Sequence, residues 1–195
     1  MFIKVIPVIL MMLGVFMTNA SAATEKAIFA GGCFWCMHAE FEGHKGVTQV
    51  LSGYTGGHVV NPTYEQVSEG DTGHVEAIEV VYDPNVVTYQ TLLDIFWSNV
   101  DPLDRSGQFC DKGSQYMAGI FVFDQAQRDA ATQSAQAIEK KLGQPVATFI
   151  RDAAPFYVAE DYHQSYYKKN QLRYKMYKAG CGRDQRLKEF QGLVE

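Results

Sequence analysis

The feature that most constrains this chain is the hexapeptide Gly-Gly-Cys-Phe-Trp-Cys at residues 31–36, which follows a short apolar run. The pattern predicts a strand that turns into a helix, with Cys33 at the helix start. Unpaired backbone N–H groups and the positive end of the helix dipole stabilise a thiolate at such a position. Phe34 and Trp35 can wall an apolar pocket beside it. Two buried cysteines packing as small hydrophobes are the alternative, but the full hexapeptide favours chemistry on a small apolar group.

The first 22 residues have the pattern of a secretory signal peptide. Lys4 forms a short basic region, residues 5–17 are an unbroken apolar run, and Ala20, Ser21 and Ala22 offer a small-residue cleavage site. The run is shorter than the ~20 residues that span a bilayer. We therefore expect cleavage before Ala23, export to the periplasm or the medium, and no stable membrane association. An uncleaved N-terminal anchor is the alternative.

Residues 23–195 have the length of one domain, which we expect to be catalytic and monomeric. The formal net charge is −5, and no basic patch interleaves with aromatic residues, so nucleic acid is excluded as a partner. The charged tail, about residues 171–195, is predicted to be a mobile segment of this domain.

Helical and strand patterns alternate irregularly along the chain. Predicted strands cover residues 26–30, 47–54, 74–82, 116–123 and 146–150, and predicted helices cover residues 33–42, 88–98, 125–142 and 160–170. Two long polar loops lie between them, at residues 55–73 and 99–115, and loops of such length are usually functional. The order, without a Gly-x-Gly-x-x-Gly fingerprint, favours an α+β two-layer sandwich: a ferredoxin-like mixed sheet with helices packed on it.

All four cysteines lie beyond the predicted signal peptide: Cys33, Cys36, Cys110 and Cys181. Export makes structural disulfides the default interpretation. However, a domain of this length does not need them, and Cys33 and Cys36 have the Cys-x-x-Cys spacing of redox or metal sites. No His/Cys spacing matches a zinc site, so the pattern favours catalytic thiol chemistry without a metal.

Six ordered motifs carry a resemblance that spans this whole domain. They are GCFWC at 32–36, GYTGG at 53–57, NPTY at 61–64, GHVE at 73–76, GQFCDKGSQY at 107–116 and AEDYHQ at 159–164. In this combination the chain resembles the peptide methionine sulfoxide reductase A family, whose members reverse methionine sulfoxide formation for one sulfoxide epimer.

The resemblance implies reduction of methionine S-sulfoxide, free or in proteins, with Cys33 as nucleophile and Phe34 and Trp35 as the methyl cage. Glu76 would protonate the sulfoxide oxygen if burial raises its pKa. Tyr64 and Tyr116 would hold that oxygen as charge develops. Taken singly, a glutamate in an alternating strand usually faces solvent, and a tyrosine is usually core or surface.

The resemblance also implies that Asp111 helps to position the site, and that no metal, flavin or nucleotide is needed. The chemistry would leave Cys33 as a sulfenic acid, and a second thiol must condense with it. We favour Cys181, where the family often carries its resolving cysteine, slightly over Cys36, while Cys110 could serve a second relay step. A thioredoxin-like dithiol protein would then reduce the disulfide.

Two other functions remain open at this stage. A general thiol–disulfide oxidoreductase could use Cys33 and Cys36, although Glu76 and its tyrosines argue against that. A disulfide-stabilised secreted binding module could use the aromatic pocket only for recognition.

Overall fold

The computed structural model describes residues 23–193. The predicted signal peptide, residues 1–22, lies outside the described residues. Within the described part, no helix is long and apolar enough to cross a membrane.

The central element is a mixed six-stranded sheet. Its strands, in chain order, are β1 (Glu25–Gly31), β2 (Val47–Thr55), β3 (Val75–Tyr82), β6 (Ala118–Val122), β7 (Phe149–Asp152) and β8 (Tyr157–Val158), while β4 (Gly107–Gln108) and β5 (Asp111–Lys112) form a separate hairpin. The spatial order is β7-β6-β1-β3-β2-β8. All neighbours are antiparallel except β6 and β7, which are parallel.

The helices are α1 (Phe34–Phe41), α2 (Tyr64–Glu69), α3 (Tyr89–Trp97), α4 (Gln125–Leu142), α5 (Tyr166–Lys169), α6 (Gln171–Gly180) and α7 (Arg183–Lys188), and a 3-10 turn covers Ser114–Tyr116. Apolar side chains of α1, α3 and α4 form one core with a face of the sheet. The α+β sandwich predicted from the sequence is therefore confirmed.

Strand β3 shows how the sheet positions the site. Val75 and Ala77 lie in a small cluster on one face, whereas Ile78 and Val80 belong to the main core beneath the helices. Because successive side chains of a strand alternate between faces, Glu76 shares the helix-covered face with Ile78. The usual solvent-facing interpretation of this glutamate is wrong, since both faces of the strand are buried.

The structure corrects several predicted boundaries. The loop 55–73 contains α2, the loop 99–115 contains the β4–β5 hairpin, the strand predicted at 146–150 begins at Phe149, and most of the helix predicted at 160–170 is turn. Helix α2 begins at a capping box in which Thr63 accepts from the Gln66 N–H and the Gln66 side chain accepts from the Thr63 N–H. The tail forms α6 and α7, and its mobility stays a prediction.

Candidate active site

Cys33 lies at the junction that the hexapeptide predicts. It is the residue before α1, with φ −53° and ψ 117°, and its side chain is buried. The N–H of Phe34, one of the free donors at the helix start, donates to Glu76 Oε2 at 2.9 Å. The helix terminus thus binds a carboxyl group as well as facing the thiol.

Burial raises the pKa of the Cys33 thiol well above its ordinary value. The expectation of a thiolate stabilised by the helix start is therefore wrong for the resting protein. The reason is desolvation, because burial favours the uncharged form of the thiol. The thiol must lose its proton when substrate is bound.

Glu76 is buried, with 3% of its surface exposed. Burial raises its pKa to about 8, although the bond from the Phe34 N–H lowers it. The side chain is therefore mostly a neutral acid at pH 7. A carboxylic acid that keeps its proton at neutral pH can donate it to a substrate oxygen.

A cavity of about 270 Å³ joins these two groups. Its lining comprises Cys33, Phe34, Trp35, Tyr64, Glu76, Asp111, Tyr116, Arg173 and Tyr177. The first seven of these residues are the ones that the sequence predicted as nucleophile, acid, oxygen-binding groups, positioning residue and methyl cage. The fold therefore brings all of these predicted residues together. Arg173 and Tyr177 were missed because both lie in α6, a segment without a motif of its own.

The cage is rigid on its Trp35 side. The indole stacks on Tyr166, with ring centroids 3.8 Å apart and planes 7° apart, and Tyr177 meets its edge. The indole N–H donates to His163 Nδ1 at 2.9 Å. Burial lowers the pKa of His163 to about 4, so the imidazole is neutral and can accept this bond. Phe34 packs against the same imidazole, with centroids 4.9 Å apart.

The hydroxyl groups of the cavity stay protonated. Burial raises the pKa values of Tyr64, Tyr116 and Tyr177. Helix α2 orients Tyr64, whose N–H donates to Glu160 Oε1 at 2.9 Å. The Tyr177 hydroxyl donates to Asp111 Oδ2 at 2.5 Å. Burial raises the pKa of Asp111, and the Tyr177 bond opposes that.

The four cysteines separate into two pairs. Cys110 and Cys181 form a disulfide that ties the turn between β4 and β5 to the end of α6. Cys33 and Cys36 are free and buried. A hydrogen bond from the Cys33 thiol lowers the pKa of Cys36 to about 7, helped by the charge of Arg183 and opposed by burial. The thiol beside Cys33 is therefore that of Cys36.

Comparison with known proteins agrees with this arrangement. The family described as peptide methionine sulfoxide reductase matches residues 25–192. The peptide methionine sulfoxide reductase MsrA of Bacillus pumilus is 48% identical over 165 residues, covering 84% of this chain and 93% of the relative. The MsrA of Streptococcus equi subsp. zooepidemicus is 50% identical over 152 residues, covering 77% and 90%.

Solved structures give the same result. Mxr1 from Saccharomyces cerevisiae in reduced form superposes with a TM-score of 0.73 and 30% identity, covering 79% of this chain and 90% of that one. Methionine sulfoxide reductase A of Corynebacterium diphtheriae gives a TM-score of 0.69 and 31% identity, covering 79% and 78%.

Proposed function

This chain belongs to the peptide methionine sulfoxide reductase family and reduces methionine sulfoxide to methionine through thiol chemistry, and we propose that Cys33 is its nucleophile and Glu76 its acid. The observation that carries the proposal is the pairing of a buried thiol with a buried, neutral carboxylic acid in one aromatic cavity. The substrate class is the S epimer of methionine sulfoxide, free or within a protein.

The first step transfers oxygen from methionine sulfoxide to Cys33. The Cys33 sulfur attacks the sulfoxide sulfur while Glu76 protonates the departing oxygen, so that this oxygen does not leave with a full negative charge. Methionine sulfur is reduced by two electrons, and Cys33 is oxidised to the sulfenic acid. Phe34 and Trp35 hold the S-methyl group, where sulfur–aromatic contacts add modest affinity.

Tyr64 and Tyr116 bind the sulfoxide oxygen. Each presents a phenol that stays protonated in this cavity, so each can donate a hydrogen bond as charge develops. Asp111 positions the site through Tyr177, because the Tyr177 hydroxyl donates a hydrogen bond to the Asp111 carboxylate. Tyr177 and Cys33 line the same cavity, so this hydrogen bond fixes the phenol beside the thiol.

Cys36 resolves the sulfenic acid. The sequence had slightly favoured Cys181 over Cys36 as the resolving cysteine. Because Cys181 is joined to Cys110 in a disulfide, we favour Cys36 instead. Cys36 is one helical turn from Cys33 and has a lowered pKa, both of which favour attack on the Cys33 sulfur.

The Cys110–Cys181 pair serves the second relay step. Cys33 and Cys36 are 6% and 1% exposed, so a disulfide between them offers a protein reductant little surface to attack. Cys110 is exposed. A thioredoxin-like dithiol therefore reduces the surface pair, which in turn exchanges with the buried one.

One experiment tests the reaction directly. Reduced protein is mixed with excess of each epimer of methionine sulfoxide, and methionine formed per enzyme is measured. We expect product from the S epimer alone. Product from both epimers, or from neither, would contradict the proposed substrate class.

Export is a separate proposal, and its support is the N-terminal sequence. Lys4, the apolar run at 5–17 and the cleavage pattern at 20–22 support transfer of the enzyme to the periplasm or the medium. The intact mass of the exported protein should correspond to a start at Ala23. A full-length cytosolic product would contradict the proposal.

A further inference from the structure

Arg183, the first residue of α7, is a cation in the protein interior. Its side chain is 1% exposed. One guanidinium nitrogen donates to the Asn99 carbonyl at 2.5 Å and the other to the Gly31 carbonyl at 3.4 Å. Within the described part of the chain, Nε has no hydrogen-bond partner and no carboxylate touches the group. Burying a charge without an ion pair is costly, so the position of Arg183 requires an explanation.

The guanidinium lies between the two cysteine pairs. It stacks over the Phe109 ring, 4.4 Å from its centroid, directly before Cys110 in the chain. On the other side, Nη2 lies 3.4 Å from Met37 Sδ, in the residue that follows Cys36. Its charge lowers the pKa values of three acidic groups: Asp111, Cys36 and the Tyr174 phenol. Asp111 already accepts a hydrogen bond from the Tyr177 hydroxyl. Burial raises the pKa of Tyr174 despite this charge, so that phenol stays protonated, which leaves Cys36 as the group that needs the charge.

The other groups around Cys36 do not replace Arg183. Tyr174 and Lys178 of α6 also lower its pKa, by a hydrogen bond and by charge, but their effects are smaller. Tyr166 of α5 packs against it, and Glu76 of β3 faces it across the site. The largest favourable effect, the hydrogen bond from the Cys33 thiol, ends when that thiol becomes a sulfenic acid. A fixed positive charge is then the main support for a Cys36 thiolate.

We propose that Arg183 is a positioning residue for resolution, whose buried guanidinium keeps Cys36 a thiolate while Cys33 is a sulfenic acid. The proposal rests on the proposed role of Cys36. In this step the Cys36 sulfur attacks the Cys33 sulfur, an S–S bond forms and the S–O bond breaks. The oxygen leaves as hydroxide and takes a proton to become water. Cys36 is oxidised, and the sulfenic sulfur is reduced.

The test measures how long the sulfenic acid survives after one turnover. Arg183→Gln removes the charge but can still donate to carbonyl groups, Arg183→Lys keeps the charge, and Lys188→Met removes an exposed charge from the same helix. Each reduced variant receives one equivalent of methionine S-sulfoxide between pH 6 and 9.5. The Cys33 sulfenic acid is trapped with dimedone at successive times, and methionine is counted in parallel.

We expect Arg183→Gln to form methionine at the native rate and to prolong the sulfenic acid about fivefold at pH 6–7. In this variant the Cys36 pKa rises, so a smaller fraction of Cys36 is thiolate. This loss outweighs the gain in thiolate nucleophilicity, which increases with pKa with a Brønsted coefficient of only about 0.4–0.5. The difference should shrink as pH rises and reverse above about pH 8, where both thiols are ionised and the more basic sulfur is the better nucleophile. Arg183→Lys and Lys188→Met should keep the native pH profile, whose midpoint should lie below the ordinary pKa of a thiol.

If Arg183→Gln slows resolution by the same factor at every pH, Arg183 has a structural role and the proposal is overturned. An unchanged pH profile of resolution in this variant would overturn it as well. If Arg183→Gln does not fold, the native profile decides, because a midpoint at the ordinary pKa of a thiol overturns it as well. Cys36→Ser is measured beside these variants. If Cys36→Ser resolves its sulfenic acid at the normal rate, Cys36 is not the resolving cysteine. If the sulfenic acid is long-lived in Cys36→Ser but Arg183→Gln has the native pH profile, only the role of Arg183 is overturned.

Discussion

At the scale of single residues, the proposed nucleophile and the proposed acid are both neutral when the protein rests. Burial raises the pKa of Cys33 and brings that of Glu76 to about 8. Burial in the same cavity therefore suppresses the thiolate and preserves the acid. This arrangement suits a substrate whose oxygen must be protonated as the thiol attacks, because proton and nucleophile are consumed together.

Cys33→Ser tests the nucleophile. We expect no methionine even in a single turnover with excess enzyme, because a serine hydroxyl cannot accept the oxygen as a sulfenic acid. Quenched mixtures of variant and methionine S-sulfoxide, analysed for methionine, give the measurement. Cys36→Ser is the matched control and should form about one methionine per enzyme. Appreciable product from Cys33→Ser would mean that another thiol attacks.

Glu76→Gln tests the acid. General acid catalysis contributes about 10²–10⁴-fold, so the single-turnover rate should fall within that range while substrate affinity changes little. The native rate should also fall as pH rises through about 8, because Glu76 then loses its proton. The variant should lack this decline. A native-like rate in the variant would return Glu76 to a purely structural role.

At the scale of elements, the Cys110–Cys181 disulfide connects the β4–β5 hairpin to the end of α6. Both connected elements contribute to the cavity, since Asp111 follows Cys110 and Tyr177 precedes Cys181 by one helical turn. The Tyr177–Asp111 hydrogen bond spans the same junction. The surface disulfide and the positioning of the site are therefore parts of one junction.

Cys181→Ser separates resolution from recycling. If Cys36 resolves, the variant forms its first methionine normally and accumulates a Cys33–Cys36 disulfide, which peptide mapping identifies. Turnover with a thioredoxin-like protein should then stop, because that disulfide is buried, while a small dithiol should still support some turnover. Cys36→Ser is the comparison and should retain the Cys33 sulfenic acid. A sulfenic acid that persists in Cys181→Ser instead would restore Cys181 as the first resolver.

At the scale of the whole molecule, a buried acid whose pKa is raised makes folding depend on pH. The folded chain holds the Glu76 proton up to pH about 8, whereas an unfolded glutamate loses it near pH 4.3. The contribution of this group to stability is therefore complete below pH about 4 and is lost as pH rises toward about 8.

Glu76→Gln should consequently be more stable than the native chain in mildly alkaline solution. We expect a gain of roughly 4–5 kcal/mol in the free energy of unfolding at pH 8, since the folded and unfolded pKa values differ by about 3.7 and a change of one in pKa corresponds to about 1.4 kcal/mol. The gain should shrink toward pH 5. Urea unfolding of both chains at several pH values measures it. A pH-independent difference would show that Glu76 titrates normally in the folded protein.

The sequence predicted the parts of the molecule that depend on neighbouring residues. The strand-to-helix turn at Cys33 and the full extent of α4 follow from local pattern. Glu76 could be assigned only by resemblance, because its burial depends on layers packed from distant segments. Tyr177 and Arg183 could not be predicted, since a tyrosine and an arginine in a charged tail have no local pattern that brings them to the interior.

Trp35, which stacks on Tyr166, should make the fluorescence of the protein sensitive to its redox state. The chain has two tryptophans, and the other, Trp97, lies in the core with its indole N–H donating to Ser134. Indole emission is quenched by nearby thiols and disulfides, so only Trp35 should respond to the state of Cys33. Stopped-flow fluorescence should therefore follow each turnover without a label, and Trp35→Phe should abolish the signal. A signal that survives in that variant would assign it to Trp97.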